Sequence, residues 1–220
     1  MGLILPVLLL GLMASLSPST IVVFILLLST ARARVNAVAF LIGWAISLTV
    51  VFAGSYALGA SNAAQHGNGR HAVAVVEILL GVALIGLSAH QWRRRHAPRT
   101  SSAGARQFTE RLHDLSPRSA AVVGVLKQPW AITAAAGVAV VRHQPGPLAT
   151  VLAFACFTLV STATVGLMLW YYARSPGEAE ARLDALRMRM VEVGPAVFAV
   201  AGLAVGAFFV IDGMIGLGLI

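Results

Sequence analysis

Lys127 is the only lysine in the chain, and it sits in the otherwise uncharged apolar run AAVVGVLKQPWAITAAAGVAVV, two residues before Pro129. A lysine at the centre of a membrane helix costs about 2.5–3.5 kcal/mol, less where it can snorkel to the interface. Such a fixed cation can attract an anionic head group or change its protonation as a substrate passes. Snorkelling is the alternative reading. Pro129 removes a backbone donor and clashes with the preceding turn, and in lipid only protein or enclosed water can satisfy the carbonyls it frees. The stretch LSPST, residues 16–20, places Pro18 at a matching point of the first apolar run. Ser17, Ser19 and Thr20 flank one proline, and Gln128 and Thr133 flank the other. Two broken helices meeting at mid-bilayer open backbone groups where a substrate or ion can bind. Simple kinks are the competing reading. The candidate substrate site is Ser17, Pro18, Ser19, Lys127, Gln128, Pro129 and Thr133. Glu77 and Asp212 fall near the outer ends of their runs, too far outward to pair with Lys127. They read either as an outer proton or ion relay, or gate, or as interface residues.

The elements that must position these groups follow from composition. The chain of 220 residues is 58% hydrophobic and 11% charged, against about 25% charged in soluble domains, with a mean hydropathy of +0.84. The charge deficit falls in six stretches, 3–28, 36–60, 72–90, 119–141, 148–172 and 194–218. Each has about the 17–25 residues of a membrane-spanning helix. An all-α membrane protein with six transmembrane helices is expected. The first segment lacks a positive leader and a small-residue cleavage site, and is expected to remain as a helix. Loops one, three and five carry thirteen arginines, while loops two and four carry only Arg70 and Arg142. That asymmetry places the arginine-rich loops in the cytoplasm and both termini outside, in a multi-pass protein of the inner (plasma) membrane. The net charge of +8 is therefore a topology signal with lipid contact. Nucleic acid is not an expected partner, since no aromatic-plus-basic motif accompanies the charge.

No soluble-enzyme chemistry is legible. The lysine follows no glycine-rich phosphate loop, and no cluster has metal-ligand spacing. Catalytic residues, metals and cofactors are all expected to be none. Cys156 is the only cysteine, which excludes an internal disulfide, and it reads as a small buried apolar residue. The chain divides into residues 1–118, ending in a basic cytoplasmic loop at 91–118, and residues 119–220. VAFLIGWAISLTVV matches LAFACFTLVSTATV weakly, and Pro18 matches Pro129. Each half has three spans, so the second must be inverted, an arrangement of transporters. FTERLHDLSPR is expected to form a short interfacial helix, with Ser116 and Pro117 opening the fourth span. RHQPGP is expected to turn between spans four and five. An amphipathic cytoplasmic helix is expected at about 176–192, capped by Ser175 with Glu178 in its first turn. Ala179, Leu183, Leu186, Met190 and Val193 form its apolar stripe. Gly202 and Gly206 permit close helix packing.

LSP in span one, QWRRR after span three, LHDLSPRSAAVVGVLKQPWAI entering span four and FFVIDGMIGL near the end together resemble the glycolipid-addressing protein (GAP) family of actinobacteria. That family includes the sulfolipid- and glycopeptidolipid-addressing proteins, within the LysE-type exporter superfamily. The resemblance covers essentially the whole chain. It implies a 3+3 bundle that carries a glycolipid or similar amphiphile outwards, and it singles out Ser17, Pro18 and the span-four proline element. That element often reads NPK in the family and reads KQP here, with the lysine before the proline. The expected function is export, or assistance to export, of an anionic or amphiphilic envelope lipid. Membrane lipids, a larger lipid transporter and a second copy of the chain are the candidate partners. A LysE-like exporter of an amino acid or cation, driven by proton exchange, and a non-transporting assembly factor remain alternatives.

Overall fold

The computed structural model describes residues 3–65, 69–94, 115–143 and 146–219. Among them the fold is helical throughout, without a strand: α1 (Ile4–Ser15), α2 (Pro18–Leu28), α3 (Ala33–Gln65), α4 (Gly69–Arg94), α5 (Pro117–Lys127), α6 (Trp130–His143), α7 (Pro147–Arg174), α8 (Pro176–Glu192) and α9 (Gly194–Gly216). Four of these, α3, α4, α7 and α9, are long and apolar enough to cross a membrane on their own. The pairs α1–α2 and α5–α6 pass the same test jointly, bent by 48° and 58°. The chain is therefore a membrane protein with four to six spans. Its outward-facing leucines and valines, such as Val50, Leu159 and Leu203, meet hydrocarbon rather than water. Most of the basic loop at 91–118, with the interfacial helix expected there, and the middle of the turn at 142–147 lie outside the described residues.

Helix starts follow local chemistry. Ser116 takes an extended conformation and its hydroxyl accepts from the Ser119 amide at 3.2 Å, with Pro117 at the first helical position, a position where the missing amide costs nothing. Ser175 departs from expectation: Pro176 opens α8, but the Ser175 side chain makes no capping bond at φ −143°, ψ 73°. Its carbonyl accepts the first bond of the helix, from the Ala179 amide at 2.9 Å, as an N-cap carbonyl ordinarily does. α8 lays Ala179 and Leu183 into the bundle, with Leu186 and Met190 partly covered and Val193 exposed. Cys156 also departs from expectation. It is exposed on the outer face of α7, where lipid rather than protein supplies its apolar surroundings.

α4 packs along α9, α3 against α5 and α6, and α1 against α7 and α6. An aromatic cluster fills the centre: Phe24 meets Phe40 edge-on at 5.4 Å, and Phe52 lies 5.0 Å from Phe154. Two contacts demand glycine. A Cβ on Gly81 would lie 2.6 Å from the Gly206 carbonyl oxygen, and one on Gly206 would lie 2.8 Å from that of Gly81. α3 and α5 meet as closely, since a Cβ on Gly124 would fall on the Phe40 carbonyl and one on Gly43 on that of Ala121. Close backbone approach of this kind is how membrane helices gain packing without a hydrophobic driving force.

Substituting Gly206 by Leu should therefore force α4 and α9 apart, at the 1–3 kcal/mol typical of overpacking, roughly. Gly86 on the same α4 faces open space, so Gly86→Ala should be neutral or gain up to about 1 kcal/mol of helix propensity. Thermal unfolding of both variants in detergent checks this. Equal midpoints for the two would contradict the packing described.

Candidate functional site

Both proline breaks are repaired locally, by different means. An unbroken helix would bond the amide of residue 129 to the carbonyl of Val125, and Pro129 has no amide to give. The Trp130 indole N–H takes its place, donating to the Val125 carbonyl at 2.9 Å. Gln128 is extended at φ −64°, ψ 133°, and Pro129 then accepts from the amides of Ile132 and Thr133 at 3.0 and 3.1 Å. At the first break the Ala14 carbonyl, which Pro18 cannot serve, receives the Ser17 amide at a long 3.4 Å. The Ser17 carbonyl starts α2 by accepting from Thr20 and Ile21, both at 3.1 Å.

One hydrogen bond joins the two breaks. The Thr20 hydroxyl donates to the Lys127 carbonyl at 3.2 Å, and the Ser17 Oγ lies 3.2 Å from the same hydroxyl oxygen. The first turn of α2 thus abuts the last residue of α5, three positions before α6 begins. Gln128 is 4% exposed and Thr133 is fully buried; the Gln128 side-chain amide donates to the Thr133 hydroxyl, while its Oε1 is buried with no partner. Lys127 is half-buried. Its ammonium has no ion pair or hydrogen bond to any described residue. A buried polar group without a partner is rare in a folded protein; the Gln128 oxygen is one, and the half-buried, unpaired Lys127 ammonium lies on the adjacent residue. Helix N-termini carry about half a positive charge. At each break such an end lies next to a helix C-terminus of opposite sign, α1 ending at Ser15 and α5 at Lys127, so the net positive charge there is that of the Lys127 ammonium, which favours an anion.

A second polar cluster lies further along α6. Arg142 in its last turn donates through Nη1 to a Glu77 carboxylate oxygen on α4. The same Nη1 lies 2.8 Å from Asp212 Oδ2 on α9, and Nη2 donates to the Asp212 carbonyl at 2.8 Å. Glu77 is 1% exposed, Arg142 21% and Asp212 30%. One planar guanidinium, with its fixed fork of donors, therefore ties three helices together.

From residue 7 to residue 215 the chain matches the family model described as Sap, sulfolipid-1-addressing protein. The chain belongs to this glycolipid-addressing family. No curated protein and no solved structure matches it.

For a member of this family the structure sorts the sequence-predicted residues into three groups. Ser17, Pro18, Lys127, Gln128, Pro129 and Thr133 lie along the two breaks, held together by the Thr20 bond. Ser19 is on the exposed side of α2, 3.4 Å from the Ser17 hydroxyl. Glu77 and Asp212 form a separate cluster, in which Glu77 is buried. Sequence reasoning missed three contributors. Thr20 was placed beside Pro18 but not assigned to the site, although it stands three residues after Ser17, where the first turn of α2 closes. Trp130 directly follows Pro129, within reach of the carbonyl that proline frees. Arg142 was assigned to an outer loop; it is the one cation at the end of α6, facing the two acids.

Arg142→Ala would leave the Glu77 carboxylate buried without its guanidinium, a loss of about 3–5 kcal/mol for a broken buried pair. Adding Glu77→Gln removes that stranded charge and should restore much of the loss. Unfolding midpoints of the single and double variants check the sign. A double variant less stable than Arg142→Ala would show that the Glu77 charge is stabilised elsewhere.

Proposed function

We propose that this protein exports, or assists the export of, a glycolipid or similar anionic amphiphile across the plasma membrane, engaging its head group where the two broken spans meet. The observation that carries this reading is Lys127, an ammonium without a counter-ion among the described residues, set beside the first turns of α2 and α6. Charge-assisted hydrogen bonds are stronger and shorter than neutral ones, so such a group selects for sulfate, phosphate or carboxylate. Ser17, Ser19, Gln128 and Thr133 supply neutral polar contacts, with Pro18 and Pro129 holding the breaks open. The family description, which names a sulfolipid, supports a lipid as the cargo.

In this reading the bundle is two inverted halves, 1–118 and 119–220, with α8 added to the second. Three observations support it: a bent pair opens each half, α4 and α9 meet through reciprocal glycine contacts, and the packing of α3 on α5 is echoed by that of α7 on α1. The arginine asymmetry supports both termini outside. No enzymatic step is assigned. Energy would come from an ion gradient or from a larger lipid transporter contacted through the basic loops. A LysE-type exporter of small solutes by proton exchange is the second reading, favoured by Glu77, a carboxylate buried within a span.

The test is an envelope lipid profile of a deletion strain, comparing surface-extractable and cell-retained pools after complementation. Wild type should restore the surface pool of one lipid. Lys127→Ala, at matched expression, should lower it roughly tenfold to a hundredfold, the effect of losing one contact to a charged group. Lys127→Arg should retain part of the activity. Unchanged pools in the deletion strain would sink lipid export, and full rescue by Lys127→Ala would sink the role of the ammonium.

A further inference from the structure

α4 and α9 are in backbone contact at Gly81 and Gly206, and Gly202 lies so close to the Ser88 hydroxyl that no Cβ would fit between them. Towards the arginine-rich end of the same pair the side chains are too small to fill the space between the helices. A cavity of about 320 Å³ opens there, walled by Ile85, Ala89, Ala199, Val200 and Leu203. Ser88 forms its floor and turns its hydroxyl into the helix, donating to the Leu84 carbonyl at 2.7 Å, so the cavity presents almost no polar atom. Val200 and Leu203 are 59% and 52% exposed, so the cavity opens sideways, towards hydrocarbon. At its end stand Trp92, 42% exposed, and Arg93, exposed and without an ion-pair partner among the described residues.

We infer that this groove is a lipid-binding site, holding one acyl chain of an anionic lipid from the leaflet on the arginine-rich side, with the head group at Arg93. Charge chooses this occupant. The groove is apolar along its length and cationic only at its mouth, and a membrane lipid has that polarity end to end. Tryptophan and arginine side chains at span ends sit at head-group depth. Lipid tails are as apolar as leucine, so a chain leaving the bilayer for the groove gains little from the hydrophobic effect and binds by packing. The selectivity must then come from the charge at Arg93. The site is separate from the junction at Lys127 and does not depend on transport. Its inner wall nonetheless borders the first broken span, since Gly202 lies against Met13, and Gly194 at the start of α9 against Pro18.

Native mass spectrometry of the full chain released from detergent tests this, with titration by dioleoylphosphatidylglycerol or dioleoylphosphatidylcholine. Wild type should hold one phosphatidylglycerol about fivefold more tightly than phosphatidylcholine, the factor one basic residue contributes at an anionic surface. Arg93→Ala should make the two lipids equal. Ala89→Leu, on the exposed rim and so compatible with folding, should lose that one tightly held lipid while Arg93 remains. Equal binding of both lipids by wild type, or a preference that survives both variants, would overturn the inference. So would a dimer that Ala89→Leu disperses, because the groove would then be covered by a second copy. The assay reads binding alone, so its result is independent of whether a deletion strain retains lipid.

Discussion

The hydrogen bond from the Thr20 hydroxyl to the Lys127 carbonyl ties the two bent helix pairs together where each has given up backbone partners. In water such a bond is a minor contribution, because either group could turn to solvent. In hydrocarbon there is no solvent to turn to, and an unsatisfied carbonyl costs several kcal/mol. A break in a membrane helix is therefore tolerable only where neighbouring groups complete it. Here the Trp130 indole serves Val125, the Ser17 amide serves Ala14, and Thr20 serves Lys127. Each repair needs a polar side chain or a spare amide at a fixed place, and that accounts for Trp130 and Thr20.

The two basic residues within this part of the bundle have opposite circumstances. Arg142 is engaged by Glu77 and Asp212 through both terminal nitrogens, so its planar fork reaches from α6 to two further helices. Engagement of that kind uses the guanidinium's donors on protein groups, so Arg142 is suited to holding α4, α6 and α9 in register. Lys127 keeps all its donors. In a low-dielectric surrounding an unpaired charge is costly unless something meets it, and this contrast is why the proposed binding role falls on the lysine and the structural one on the arginine.

Much of this was legible in the sequence, for identifiable reasons. A span needs about twenty apolar residues, so the segments were readable from charge alone. Proline inside a helix removes a donor and clashes with the preceding turn, so a kink or a break at Pro18 and Pro129 was readable too. What escaped depended on distance across the bundle. Arg142 looked like a loop residue because nothing local says that Glu77, 65 positions away, and Asp212, 70 positions away, converge on it. Cys156 was misplaced because periodicity in a uniformly apolar helix does not say which face meets protein and which meets lipid. The Ser175 cap failed for a local reason: at φ −143°, ψ 73° the residue is turned away from the geometry in which its hydroxyl would reach the first-turn amides.

α6 connects these separate observations mechanically. It starts at Trp130, after the Pro129 break, and runs fourteen residues to His143 with Arg142 in its last turn, or roughly 20 Å at 1.5 Å per residue. A helix of that length behaves as a rigid rod, so a change in the 58° bend at its start cannot be absorbed along the way. It must either carry the guanidinium with it, loosening its contacts to Glu77 and Asp212, or be resisted by them. The α4–α9 pair on the far side of those contacts is fixed by backbone packing at Gly81 and Gly206 and offers little compliance. The ion pairs at one end of α6 are thus joined by one stiff element to the break at its other end, across which Lys127 closes α5.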